Sequence, residues 1–271
     1  MTSLADYRGW RPAPLTKASA LLQAGAVAAT ILRPEAWPWT AGAVVADYAM
    51  LAVAGLWPRC GLLGPNLKRL PPPAAARGEM AITIDDGPEP AVTPAVLDLL
   101  DRQGAKASFF CIGERARRYP ELCREIVDRG HAVENHSLRH RHDFALLGLR
   151  GLVREINAAQ ETLAAITGVC PLFFRAPAGL RSPLLDPALF RLNLRLVSWT
   201  RRGFDTRDGD PRSVSAKLLH GLNGGDILLL HDGNAARTAG GDAVILEVLP
   251  RLLDTIAAAR LRPVTLRSVL A

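Results

Sequence analysis

From residue 79 onward, short apolar runs alternate with helix signals, and this alternation constrains the fold more than any other feature of the chain. The runs are MAITI, KASFFCI, HAVEN, CPLFFR, LRLVSW, DILLLH and RPVTL. The segments between them carry helix punctuation. VLDLLDRQ follows Thr93-Pro94, read as N-cap and first helical residue, and stops at Gly104. YPELCREIVDRG has Pro120 near its start and Gly130 past its end. In GLVREINAAQETLAAITG, Leu152, Ile156, Leu163 and Ile166 recur at helical intervals. SPLLDPALFRL, DPRSVSAKLLHGL and the stretch Ala243 to Arg260, interrupted at Pro250, complete the set. Strands joined through helices run parallel, and seven such units predict an α/β barrel.

The chain divides at LPPPAAARG. A triple proline followed by small residues reads as a linker over 71–78, because proline cannot continue a helix. Residues 1–70 hold two apolar stretches, Ala18 to Leu32 and Trp39 to Trp57, and Asp47 is the one charge in the second. Trp37 and Trp39 stand at the start of that stretch and Trp57 closes it, in the manner of an interfacial belt. A bilayer core takes roughly 20 apolar residues per helix, so a membrane hairpin is expected. A soluble hairpin packed on the downstream domain is the competing reading. No A-x-A site precedes a polar start, which argues against a cleaved signal peptide. Arg8, Arg11 and Lys17 flank one end and Arg59, Lys68 and Arg69 the other, while the intervening loop holds only Arg33 and Glu35. By the positive-inside rule, the domain at 79–271 would face the cytoplasm from a bacterial-type inner membrane.

Charge narrows the function. The net charge is +7, but residues 1–77 hold eight Lys/Arg against three Asp/Glu, and the rest of the chain 25 against 23. The downstream domain therefore lacks the basic stripe that nucleic-acid binding requires. Its hydrophobic content, 49% over the whole chain, is ample for a core. Cys60, Cys111, Cys123 and Cys170 form no C-x-x-C pair and read as buried free thiols.

In parallel barrels the active site lies at the C-terminal ends of the strands. Ionisable residues gather there. Asp85-Asp86 follow the first strand, His136 to His140 the third, Arg175 the fourth, Trp199 and Asp205 the fifth, and His231-Asp232 the sixth. The adjacent acids of TIDDGP suit a turn. The H-x-x-x-H spacing of His136 and His140 would place both imidazoles on one side of a helical turn, within reach of one ion. Adding a carboxylate gives the two-His-one-acid set of a catalytic metal with open positions. His131, His142 and His220 read as exposed or structural.

TIDDGP, HSLRH, RAPAG and the LLLH element, in this order, resemble the polysaccharide deacetylases with a NodB homology domain (carbohydrate esterase family 4) from Glu79 to Ala271. The resemblance implies a distorted (β/α)7 barrel and metal-dependent removal of an N-acyl group, acetyl before formyl, from an amino sugar in a polysaccharide or lipid-linked glycan. It implies Asp86, His136 and His140 as metal ligands, Asp85 as general base, His231 as general acid and Arg175 as the holder of the base. Zinc is the default metal, with cobalt, nickel or manganese able to serve. Asp205, or failing it Asp208, would orient His231. Pro177, Ala178, Gly179, Trp199 and Leu229 would line the substrate site, with Ala178 standing where the family often has an aromatic residue. A non-catalytic glycan-binding protein on the same fold is the alternative, and it would have a broken set.

Overall fold

The computed structural model describes residues 9–270. It opens with a hairpin, α1 (Pro14–Leu32) and α2 (Trp37–Leu56), turned by the 3-10 segment Pro34–Ala36. The helices are clamped by polar groups on their facing sides. Ser19 Oγ and Gln23 Nε2 donate to Asp47 Oδ2 at 2.7 and 2.8 Å, and the Thr30 and Thr40 hydroxyls lie 2.7 Å apart. Elsewhere the pair shows apolar side chains outward, among them Leu21, Ile31, Trp39, Val45 and Val53. Both helices are long and apolar enough to cross a membrane, each with a mean hydropathy of 1.4. They are candidate spans, although a signal sequence passes the same test. Arg8 lies outside the described residues.

The proline segment is not a free tether. Pro72–Ala76 forms the short helix α3, since proline is tolerated in a first turn whose N–H groups have no helical partner. Leu70 and Ala74 are buried, and Leu70 N donates to Gly225 O at 2.9 Å. Just upstream, Leu67 pairs in parallel with Val197.

The remaining elements are β1 (Glu79–Asp85), α4 (Thr93–Arg102), β2 (Ala107–Cys111), α5 (Gly113–Arg118), α6 (Pro120–Asp128), β3 (Ala132–Asn135) and α7 (Leu149–Thr167). They continue through β4 (Phe173–Phe174), α8 (Leu185–Arg191), β5 (Arg195–Leu196), β6 (Arg201–Arg202), α9 (Pro211–Leu219), β7 (Ile227–His231), α10 (Val244–Ala258), β8 (Arg262–Pro263) and α11 (Leu266–Leu270). The strand order is β5-β4-β3-β2-β1-β7-β6, all parallel, with β8 added at the start of β1. The two end strands do not pair with each other, so the sheet is a curled, open half-barrel wrapped by helices. This is the α/β architecture that the alternation predicts.

Side chains alternate across the central strands. Met80, Ile82 and Ile84 of β1 pack outward with Leu97, Leu228, Leu249 and Leu252. Ala81, Phe110, Phe173 and Ile227 pack on the inner side. Thr83 and Asp85 continue that inner row, as does His231 on β7. Asp85 pairs in register with both Phe110 and His231, which brings the chemical ends of three strands level.

Several local expectations change. α5 and β6 carry no clear sequence signal, and β4 and β5 are shorter than their apolar runs. α4 begins at Thr93 rather than being capped by it. The Thr93 hydroxyl instead donates to Asp232 and accepts from Glu89 N. α10 runs unbroken through Pro250. A proline there costs about 3 kcal/mol, whereas each buried leucine returns about 1.5–3, and Leu249, Leu252 and Leu253 are all buried. Cys170 is exposed, since it follows the end of α7, while the other three cysteines are buried.

His131 is structural. Its Nδ1 accepts from Ala107 N at 3.2 Å, and its ring meets Phe109 edge-on. Burial, helped by the charges of Lys106 and Arg129, lowers its pKa to about 4. A neutral folded His131 costs nothing above the unfolded pKa near 6.5. Below that value the unfolded chain takes up the proton first, so stability is lost as pH falls. We expect His131 to account for about 2 kcal/mol of lost unfolding free energy between pH 7 and pH 5. Urea denaturation at the two pH values checks this, and His131→Gln should lose that share of the difference.

Candidate active site

β1 delivers two acids to one place. Successive strand residues point to opposite faces. Asp86, however, sits at φ 72, which folds the chain over the strand end. Aspartate tolerates this left-handed conformation better than most residues. The following glycine is required for space, because a Cβ at Gly87 would lie 2.4 Å from the Asp232 carboxylate. Asp232 is itself held by Thr93 and by Gly233 N, and its burial raises its pKa to about 6.

The HSLRH segment is not a helical turn. β3 ends at Asn135, and residues 136–140 form a loop with Ser137 at φ 65 and His140 at φ 51. Buried polar anchors shape it. Asn135 Oδ1 accepts from Ser137 N, Ser137 Oγ from His140 N, and Glu155 Oε1 from Arg139 N, at 2.8–3.0 Å. The two imidazoles still converge, with ring centroids 4.9 Å apart.

Asp86, His136 and His140 meet at one point. The Nε2 atoms of His136 and His140 lie 3.2 and 3.3 Å from Asp86 Oδ1. One donor atom from each residue falls within 4.8 Å of the others. His136 Nδ1 donates to the Arg175 carbonyl at 2.8 Å, which leaves the Nε2 lone pair facing the acid. Asp86 Oδ2 accepts from Asn234 Nδ2 at 3.0 Å, while Oδ1 is buried without a hydrogen-bond partner. Burial alone would raise the Asp86 pKa, but His136, His231 and His140 outweigh it and hold the carboxyl well below the usual range. An orphaned anionic oxygen facing two imidazole nitrogens fits a divalent cation. These residues could hold a metal.

Asp85 faces the other way. Arg175 Nη1 donates to Asp85 Oδ1 at 2.6 Å and to Thr83 Oγ at 2.9 Å. The guanidinium is fully buried, stacked 4.2 Å from the Phe110 ring centroid, and also bonded to the Val197 and Ser198 carbonyls. Asp85 Oδ2 remains 3.8 Å from His136 Nε2. On the neighbouring strand end, His231 Nδ1 pairs with Asp205 Oδ1 at 2.9 Å, and the His231 N–H donates to Asp205 Oδ2 at 2.7 Å. Burial opposes charge on His231, but Asp205, with Asp85 and Asp86 behind it, raises its pKa to about 8. Asp208 does not take part. It is bound by Ser213 and Lys217.

Asp85, Asp86, His136, His140, His231 and Asn234 line a cavity of about 600 Å³, together with Ala178, Gly179, Trp199 and Leu229. Pro177 is buried and does not reach the cavity surface. A Cβ on Gly179 would lie 2.7 Å from Pro58 and 2.8 Å from Trp199, so the segment leaving α2 backs this wall. Sequence reasoning missed Asn234, Thr83 and Arg202. None of them stands in a spacing that signals a site.

The model of the polysaccharide deacetylase family matches residues 74–197. The chain is 38% identical to a chitooligosaccharide deacetylase of Azorhizobium caulinodans over 156 residues, which is 56% of this chain and 72% of that one. A crystal structure of a peptidoglycan N-acetylglucosamine deacetylase superposes with a TM-score of 0.67 at 26% identity, covering 75% of this chain and 92% of the other. A family pseudoenzyme from Bacillus anthracis, 18% identical with the same TM-score over 76% of this chain and 69% of its own, shares the fold. Matching motifs, fold and identity together make this chain a member of the polysaccharide deacetylase family.

Proposed function

We propose that the cavity is the active site of a metal-dependent hydrolase that removes an N-acetyl group from an amino sugar of a glycan. One observation carries the reading. The Asp86/His136/His140 donor set, the Arg175-held Asp85 and the Asp205-held His231 converge on one cavity. A non-catalytic binding protein on this fold would be expected to lack one of them.

A divalent cation held by Asp86, His136 and His140, zinc for this donor set, supplies Lewis acidity when bound, making water acidic and the amide carbonyl electrophilic. Asp85 accepts the proton of the attacking water, with Arg175, itself bonded to Thr83, fixing the carboxylate that does so. His231 gives a proton to the departing sugar nitrogen, so that the C–N bond breaks to a neutral amine and acetic acid, which then ionises in water. Asp205 fixes the imidazole and keeps it protonated near neutral pH. Trp199 offers a face to the sugar, Leu229 packs on the acetyl methyl, and Ala178 leaves the wall open. The test is acetate release from an N-acetylated chitooligosaccharide by the full chain, abolished by chelation and restored by zinc. No acetate release under any metal supply would sink the reading.

The role of His231 predicts a pH effect. A general acid works only while protonated, so activity should fall above about pH 8, where His231 loses its proton. Asp205→Asn removes the charge that raises this pKa, and the alkaline limb should move to lower pH. An unmoved limb would assign that ionisation elsewhere.

The hairpin is proposed as a membrane anchor, with residues 79–271 as the catalytic domain. Arg8, Arg11 and Lys17 on one flank of the hairpin, with Arg59, Lys68 and Arg69 on the other, support a cytoplasmic side for that domain by the positive-inside rule. A reporter fused after Ala271 that is active only in the periplasm would reverse the orientation.

A further inference from the structure

A second cavity, of about 410 Å³, adjoins the catalytic one and shares Trp199 and Arg202 with it. Trp57, Pro58, Arg59, Phe204 and Lys217 also line it. At one end it meets the site of chemistry. At the other it reaches Trp57, the residue at which the chain leaves α2.

The cations here differ in how they are used. The Arg201 guanidinium is taken up by Asp226 and the carbonyls of His220 and Gly221. Lys217 is paired with Asp208 at 2.7 Å. Arg202 has no carboxylate within ion-pairing distance among the described residues, and its Nε is buried without an acceptor. Its guanidinium lies between aromatic rings, 5.5 Å from the Trp199 centroid and 5.0 Å from that of Phe204. Arg59, which is exposed, donates to the Thr200 carbonyl at 3.1 Å and has no acid partner among the described residues. A partly buried guanidinium without a counter-ion is costly unless a ligand supplies the anion. Its planar fork suits phosphate oxygens.

Position supplies the rest. Leu56 and Trp57 are 65% and 59% exposed, and the apolar faces of α1 and α2 continue from them. Tryptophan at the end of an apolar span marks the lipid headgroup level. With the hairpin as the anchor proposed above, Arg202 and Arg59 of the second cavity would lie at that level, one wall away from Asp85 and His231.

We propose that the substrate is an N-acylated amino sugar joined through a phosphate or diphosphate to a membrane lipid. The sugar occupies the catalytic cavity, the phosphate binds Arg202 and Arg59, and the lipid chain lies along the hairpin. This rests on the amide-hydrolase reading above and names the substrate class of that site.

The test uses the full chain, zinc-loaded, in detergent micelles. Three probes carry the same N-acetylated sugar: a polyprenyl-phosphate-linked form, the free glycosyl phosphate, and a neutral chitooligosaccharide. Acetate release should favour the lipid-linked form in kcat/KM. Arg202→Gln should raise KM for that form by about 10- to 100-fold, the worth of one hydrogen bond to a charged group, and should cost the neutral substrate far less. Equal losses on all three probes would make Arg202 merely structural and overturn the proposal. Equal turnover of free and lipid-linked phosphates would overturn the lipid assignment. Binding is read separately by quenching of tryptophan emission in the Asp85→Asn protein. Selective binding of the lipid-linked probe without wild-type turnover would remove the hydrolase reading and leave the anion site standing. Turnover without selectivity does the reverse.

Discussion

Asp85→Asn should lower kcat by about 10²- to 10⁴-fold while leaving metal content at the wild-type level. Asparagine keeps the shape of the side chain but cannot take a proton from water. The metal donors are untouched, because Asp85 lies on the Arg175 side of the turn. Breaking a buried ion pair commonly costs about 3–5 kcal/mol, since the surviving charge is stranded. Here the cost should be smaller. Asparagine retains an acceptor oxygen, and Arg175 still bonds Thr83 Oγ and the carbonyls of Val197 and Ser198. We therefore expect a folded, metal-bound and inactive protein with a lowered melting temperature. Stopped-assay acetate release, elemental analysis and a thermal melt check the three parts. Near-full turnover in the variant would show that another group is the base.

His136→Ala should remove both metal and turnover. The imidazole is one of two nitrogen donors facing Asp86, and its Nδ1–H bond to the Arg175 carbonyl fixes the loop after β3. Losing one of the three proposed protein ligands would leave a site too poor to hold a divalent ion against buffer, so activity should fall to the level of chelated wild type. His220→Ala is the control, since His220 lies at the end of α9 and away from the cavity. Metal content by elemental analysis decides the matter. A stoichiometric ion retained in His136→Ala would mean that the donor set is wrong.

The sequence exposed the site unevenly, and the reasons are physical. Asp85 and His231 were legible because strand ends and chain polarity can be read from apolar runs, and a parallel register then levels them. Asp205 could be nominated but not separated from Asp208, because both sit in one loop whose path depends on tertiary contacts. The spacing of His136 and His140 points to a pair that the structure does bring together, but for the wrong local reason. The spacing suggests a helical turn, whereas the loop is bent by Asn135, Ser137 and Glu155 through bonds that no spacing encodes. Arg202 and Asn234 were invisible, since an unpaired arginine and a lone asparagine look like any surface residue until their neighbours are known. The proline segment misled in a similar way. Proline excludes a helix interior but not a first turn, and burial of Leu70 and Ala74 holds that turn in place.

Pro58 lies against Gly179 and Trp199, and its carbonyl accepts from Ser198 and Asn66. The chain between the second apolar helix and the sheet is thus fastened to the wall of the reaction chamber. A fragment cut at Glu79 would lose part of that wall along with the apolar hairpin. Under the proposed anchoring, the hairpin would act as a stilt of fixed length: it would set how far above the lipid the chamber stands, and a glycan tethered closer or farther away would meet it at the wrong height.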